Sequence, residues 1–170
     1  MKRSLLAAGV LWLVASGAMA QSLWGDTVAG MTYSQVGAVV QGMAPIAVPY
    51  TVGRHPGVVF RGELRPVAVL GQIGFAEFGF DALRDELRTV RLRFSPEQID
   101  QRTWGLQCDS FAAALRGRYG QEAGVLRDPL IQKIDYQWYV GATQIELSCH
   151  YALPTVAGFI ISYDIVDTGL

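Results

Sequence analysis

Apolar residues recur at helical spacing along one stretch of the chain. Trp104, Cys108, Phe111, Leu115 and Tyr119 follow one another at steps of four, three, four and four, which places all five on one narrow helix face. The flanking residues supply the ends: Ser95 suits an N-cap, Pro96 the first helical position, Gln98 completes an S-x-x-Q capping box, and Gly120 can close the helix in a left-handed conformation. Glu97, Asp100 and Gln101 occupy the stripe's face ahead of Trp104, so the packed part runs from Trp104 to Tyr119. A shorter helix is predicted after Gly30-Met31: Thr32 is its N-cap, Gln35 completes a T-x-x-Q box, and Val36, Val39, Val40 and Met43 form its apolar face. It should end near Gly42, ahead of Pro45.

Elsewhere the period falls to two. Val58–Val69, broken by Gly62 and Pro66, reads as an irregular edge strand, with Gly71 as the following turn. Gln72–Asp81 changes parity between Ile73 and Phe75 and the later Phe78 and Phe80, which predicts a bulge near Ala76 or Glu77. Leu87–Phe94 alternates cleanly, with Val90, Leu92 and Phe94 inward and Arg91 and Arg93 outward. Beyond the long helix, Ile134, Tyr136, Trp138 and Val140 share a face, Gly141-Ala142 has the pattern of a type II′ hairpin turn, and Ile145, Leu147, Cys149 and Tyr151 share the next face. A longer turn at 153–157 precedes Phe159, Ile161, Tyr163 and Ile165. Residues 22–30, 44–56 (with Pro45, Pro49, Gly53 and Pro56) and 120–130 read as loops. The pattern therefore predicts an α+β fold of two helix-plus-three-strand antiparallel units in tandem, 22–94 and 95–170, each helix packed on one face of its sheet.

Composition adds a location. Lys2 and Arg3, an apolar run over 5–14 and Ala18-Met19-Ala20 have the form of a signal peptide cleaved after Ala20, so the mature protein, 21–170, is expected to be one soluble domain in the periplasm or outside the cell. Cleavage leaves Gln21 first, with no cysteine there to acylate, and no later segment has the roughly 20 apolar residues of a membrane span. Loss of Lys2 and Arg3 from the 14 basic residues leaves 12 against 15 acidic ones, a net −3, which speaks against a nucleic-acid partner.

Cys108 and Cys149 are the only cysteines, and in an oxidising compartment a disulfide is the default. Helical periodicity puts Cys108 between Trp104 and Phe111, and strand periodicity puts Cys149 with Leu147 and Tyr151, so both sulfurs face one interface. The alternatives are a reactive thiol or a Cys₂His₂ metal site. His55 has no spacing partner for a metal site. His150, adjacent to Cys149 on a strand, points away from both sulfurs, which leaves a Cys–His nucleophile without its geometry.

No G-x-S-x-G elbow and no G-x-G-x-x-G turn is present, so neither a catalytic set nor a cofactor site is predicted. Two surfaces remain. Arg91 and Arg93 share an outward strand face, and Arg61 and Arg65 on a neighbouring strand could complete a basic patch for an anionic ligand or acidic partner. The proline-rich loop with Tyr50 and His55 is the other.

Gly30-Met31-Thr32 followed by Val36 and a Gly42-x-x-Pro45 exit, together with Arg118-Tyr119-Gly120 closing the second helix before an antiparallel sheet, resembles the small exported SmpA/OmlA (BamE-type) outer-membrane proteins and the tandem-repeat β-lactamase inhibitor proteins. That resemblance implies a protein that binds another protein, as an assembly factor, inhibitor or immunity protein, without catalysis or cofactor. The readings left beside it are a hydrolase or thiol enzyme with an unrecognised site, and a small-ligand carrier whose aromatic residues line a cavity, although Tyr136, Trp138 and Phe159 are more simply read as core.

Overall fold

The computed structural model describes residues 22–94, 103–151 and 158–166. The leader, the capping box at 95–98 and the turn at 153–157 lie outside the described residues.

The first helix, α1 (Tyr33–Val39), starts where its capping box is complete. Thr32 N donates to Gln35 Oε1 at 2.8 Å, and Gln35 N donates to Thr32 Oγ1 at 3.3 Å. Val36 and the C-cap Val40 are buried, whereas Val39 turns outward to solvent. Four strands follow: β1 (Ala44–Tyr50), β2 (Val58–Val69), β3 (Gln72–Asp81) and β4 (Leu87–Phe94). The second helix, α2 (Trp104–Tyr119), buries Cys108, Phe111, Ala112 and Leu115, which is the face its spacing predicts. It ends at Gly120, whose φ of 83° is left-handed and whose N–H bonds Arg116 O at 2.9 Å. Four more strands complete the chain: β5 (Gly124–Asp128), β6 (Lys133–Val140), β7 (Thr143–His150) and β8 (Gly158–Ile165).

All eight strands form one antiparallel sheet in the order β1-β2-β3-β4-β8-β7-β6-β5. The predicted tandem of two helix-plus-three-strand units is therefore wrong on two counts. Segments 44–56 and 120–130, read as loops, contribute β1 and β5. Both are edge strands, hydrogen-bonded on one side and largely exposed, so neither carries the apolar alternation by which a strand is recognised. The second count is the seam: β4 pairs with β8 from Thr89↔Asp164 to Arg93↔Ile160, which makes one sheet of two four-stranded meanders. Periodicity tells which way a side chain points, and is silent on which strand lies alongside.

The irregularities sit where backbone chemistry allows them. β2, expected at an edge, is covered by β1, and its register with β3 shifts at Phe60/Gly62 and again at Leu64/Val67, which accommodates Gly62 and Pro66. The bulge predicted near Ala76 or Glu77 is absent: β3 alternates without a break, with Phe75 and Glu77 on one face and Ala76, Phe78 and Phe80 in the core, because apolar residues occupy both of its faces, and the register shift at Gly79/Phe80 leaves the extra residue, Arg88, on β4. The Gly141-Ala142 turn forms between paired Val140 and Thr143, with Gly141 at φ 60°.

Both helices pack on the same face of the sheet. One core joins Val36 and Val40 with Phe78, Val90, Leu92, Phe111, Leu115, Trp138, Leu147 and Phe159. Tyr136, Trp138 and Phe159 belong to this core and are almost fully buried. Within it Cys108 and Cys149 form a disulfide, Cα atoms 6.1 Å apart, that fixes α2 to β7. The two independent periodicities that brought the sulfurs together are correct.

Candidate functional site

Strand alternation sends every second residue to the other face of the sheet, and among the described residues no helix covers that face. Its register aligns a polar row across six strands: Glu63, Glu77, Arg91, Ser162, Glu146 and Gln137 on β2, β3, β4, β8, β7 and β6. A second row runs Phe75, Arg93, Ile160, Ser148, Asp135 and Leu126. Glu77, Thr89, Asp135, Glu146, Ser148 and Ser162 are nonetheless buried, because long side chains and the β1–β2 loop lie over them.

That loop, 51–57, crosses to the C-terminal half. Arg54 clasps Glu146 with Nη1–Oε1 and Nη2–Oε2 both at 2.7 Å, and the Glu146 bond in turn raises the guanidinium's pKa. His55 Nε2 lies 3.7 Å from Asp164 Oδ1. Burial pushes the Asp164 carboxyl above its usual range, against the opposing influence of Thr89 and His55. Lys133 pairs with Asp135 at 2.6 Å, and Gln137 Nε2 donates to Glu146 at 3.4 Å.

A serine, a histidine and an aspartate also meet on this face. Ser148 Oγ donates to Asp135 at 2.5 Å and lies 2.7 Å from His150 Nε2. In a hydrolase triad the imidazole stands between serine and carboxylate, whereas here Asp135 engages the serine itself. Burial, with Lys133 nearby, holds the His150 imidazole below its usual pKa and therefore neutral at pH 7. As alternation predicts, His150 points away from the disulfide, and Ser148 links it to Asp135.

On the N-terminal half the site is basic and aromatic. The Phe75 ring is flanked by Arg65, whose Cζ is 3.9 Å from its centroid, and by its cross-strand partner Arg93 at 5.5 Å. Arg91 lies 5.1 Å from the Phe60 centroid, and Phe60 stacks on Tyr50 at 5.3 Å. The Tyr50 hydroxyl donates to Glu77 Oε1 at 2.6 Å, and its burial and that carboxylate push its pKa up to about 12. Arg93 Nη1 is 3.6 Å from the same oxygen.

Of the four arginines expected to form a patch, Arg65, Arg91 and Arg93 are brought together and Arg61 is not. Arg61 sits in the Phe60/Gly62 register shift, which turns it to the helix side; it stacks on Tyr33 and Phe80 at 5.2 and 4.8 Å and pairs with Asp85. Sequence reasoning misses Arg54, Glu77, Asp135 and Asp164. The β strands do show their outward direction, but Arg54 lies in a segment with no period, and its partner is 92 residues away.

A groove of about 500 Å³ opens elsewhere, beside Trp104, Pro129 and Ile134 at the end of the sheet. Among the described residues there is no cluster of three or more metal-ligating side chains and no helix long and apolar enough to cross a membrane. No family model, curated protein or solved structure matches this chain.

Proposed function

We propose that the chain is an exported, non-enzymatic protein that works by binding another protein with the uncovered face of its sheet, in the manner of an inhibitor, immunity or assembly protein. The observation that carries this reading is the uncovered face itself, which combines restrained aromatic and arginine side chains with a continuous polar row. The disulfide fits an oxidising compartment, and it leaves neither cysteine free as a nucleophile. The resemblance carried by Gly30-Met31-Thr32 points the same way.

Affinity capture from periplasmic extract tests the proposal. A partner held by the wild-type protein and lost by Phe75→Asp, with the fold checked by circular dichroism, supports it. Repeated recovery of the protein alone counts against it.

A further inference from the structure

The charge on the uncovered face is divided between the two halves, and the permanent cations of the C-terminal half are taken up by that half's own carboxylates. On the C-terminal side Glu146 has Arg54 at 2.7 Å, Asp135 has Lys133 at 2.6 Å, and Asp164 has the His55 imidazole at 3.7 Å. On the N-terminal side three guanidiniums, Arg65, Arg91 and Arg93, face two carboxylates, Glu63 and Glu77. Arg65 takes Glu63 at 2.9 Å. Glu77 is engaged by the Tyr50 hydroxyl and approached by Arg93 at 3.6 Å. Among the described residues Arg91 has no ion pair, and its Nη1 is buried without an acceptor. Burial lowers the Arg91 pKa further than Glu77 and Tyr50 raise it. The surplus on this half is positive.

The surplus is also held in place. Flanked by Arg65 and Arg93, the Phe75 ring restrains two guanidiniums whose side chains remain 56% and 42% exposed. Arginine planes stacked on aromatic rings keep their donors in a fixed fork and lose little freedom on meeting a carboxylate. β2 and β4 flank β3, so the two arginine backbones stand roughly 10 Å apart, while alternate residues of an extended segment are about 7 Å apart. One acidic segment lying across these strands reaches both. The site is wrong for a dense polyanion, because Glu63 and Glu77 sit inside it and the chain as a whole is not basic.

We infer that the Arg65–Phe75–Arg93 stack, with Arg91 next to it on β4, is the recognition centre of the uncovered face and takes an acidic loop or strand of a partner protein. This rests on the protein-binding reading above. The carboxylates satisfy the surplus guanidinium charge, and Phe75 supplies the apolar floor between them.

The test uses a fluorescent peptide with glutamates at alternate positions, Glu-Ser-Glu-Ser-Glu, and the full mature chain, read by anisotropy. Wild type should bind saturably, and more weakly as salt rises from about 50 to 300 mM. Arg91→Gln/Arg93→Gln should bind at least about tenfold more weakly, while Arg127→Gln, at the far edge of the sheet, should match wild type. Because Arg91 is half-buried, the exposed Arg65→Gln serves as a second variant that leaves the fold intact and should lose about threefold. Absence of saturable binding to wild type overturns the inference, and so does equal affinity in all variants. Tighter binding of tripolyphosphate or a heparin oligosaccharide, with the same dependence on these arginines, also overturns it in favour of a general anion site. A partner captured equally by wild type and by Arg91→Gln/Arg93→Gln would leave the protein-binding reading standing and remove this one. Peptide binding without any captured partner would remove the protein-binding reading and this one with it, in favour of a general anion site.

Discussion

Arg54 and Glu146 illustrate how unequal the two members of an ion pair can be. The glutamate side chain is 4% exposed and the arginine 62%, so removing the arginine strands a buried carboxylate with only Gln137 for company, whereas removing both groups strands nothing. Arg54→Ala should lower stability by about 1–2 kcal/mol in urea unfolding, discounted for the arginine's exposure, and Glu146→Gln in that background should recover most of it. His150 makes a pH prediction. Its folded pKa lies below the ordinary 6.5, so the unfolded chain binds the extra proton first, and stability falls as pH drops below about 6.5. Asp164 acts in the opposite sense: its folded pKa is raised, so the stability its ionised form removes is regained as pH falls through that value. Thermal melts from pH 7.5 to 5 should show a shallower loss for His150→Gln than for wild type, and Asp164→Asn should keep the histidine's slope. At this scale the sequence tells which way Glu146, Ser148 and His150 point, since they alternate with Ile145, Leu147 and Cys149. The identity of their partners is beyond it, because a loop such as 51–57 has no period and can reach anything within its length.

Among the elements, α2 is held in two ways, by its apolar stripe and by one covalent bond to the strand beneath. The cysteines are 41 residues apart in sequence, and closing a loop of that size stabilises by about 4 kcal/mol in the chain-entropy model. Cys108→Ala/Cys149→Ala should lose up to that amount in urea unfolding, and wild type assayed under reducing conditions should fall towards the variant. The α2 stripe, the α1 capping box and the six inner strands are legible because each buries one face and so writes its period into the chain. β1 and β5 are not, since an edge strand answers to one neighbour and to water. β1 carries Pro45 and Pro49, residues whose lack of an N–H is harmless on the side where no strand lies beyond. Arg61 is misplaced for a related reason: one extra residue at a register shift reverses the parity of the strand beyond it, and a glycine at 62 marks the place without giving the direction.

Across the whole molecule, each half is a helix followed by a four-stranded meander, and the halves meet through their last strands. The order of elements hints at this repetition, but the meeting of β4 and β8 leaves no trace in period, because each strand alternates as it would beside any other neighbour. That meeting has a temporal side. Within each meander a strand pairs with one made moments before, so six of the seven ladders are local. The seventh joins Leu92 to Ile161, about 70 residues later in the chain (161 against 92), and closing it is the slow, non-local step of assembly. Until the final strand exists, the edge of β4 stands bare, with Val90, Leu92 and Phe94 already on it. A chain whose first meander forms ahead of its second has its future centre as an open border, and that border, more than either finished edge, is where it is most open to pairing with the wrong strand.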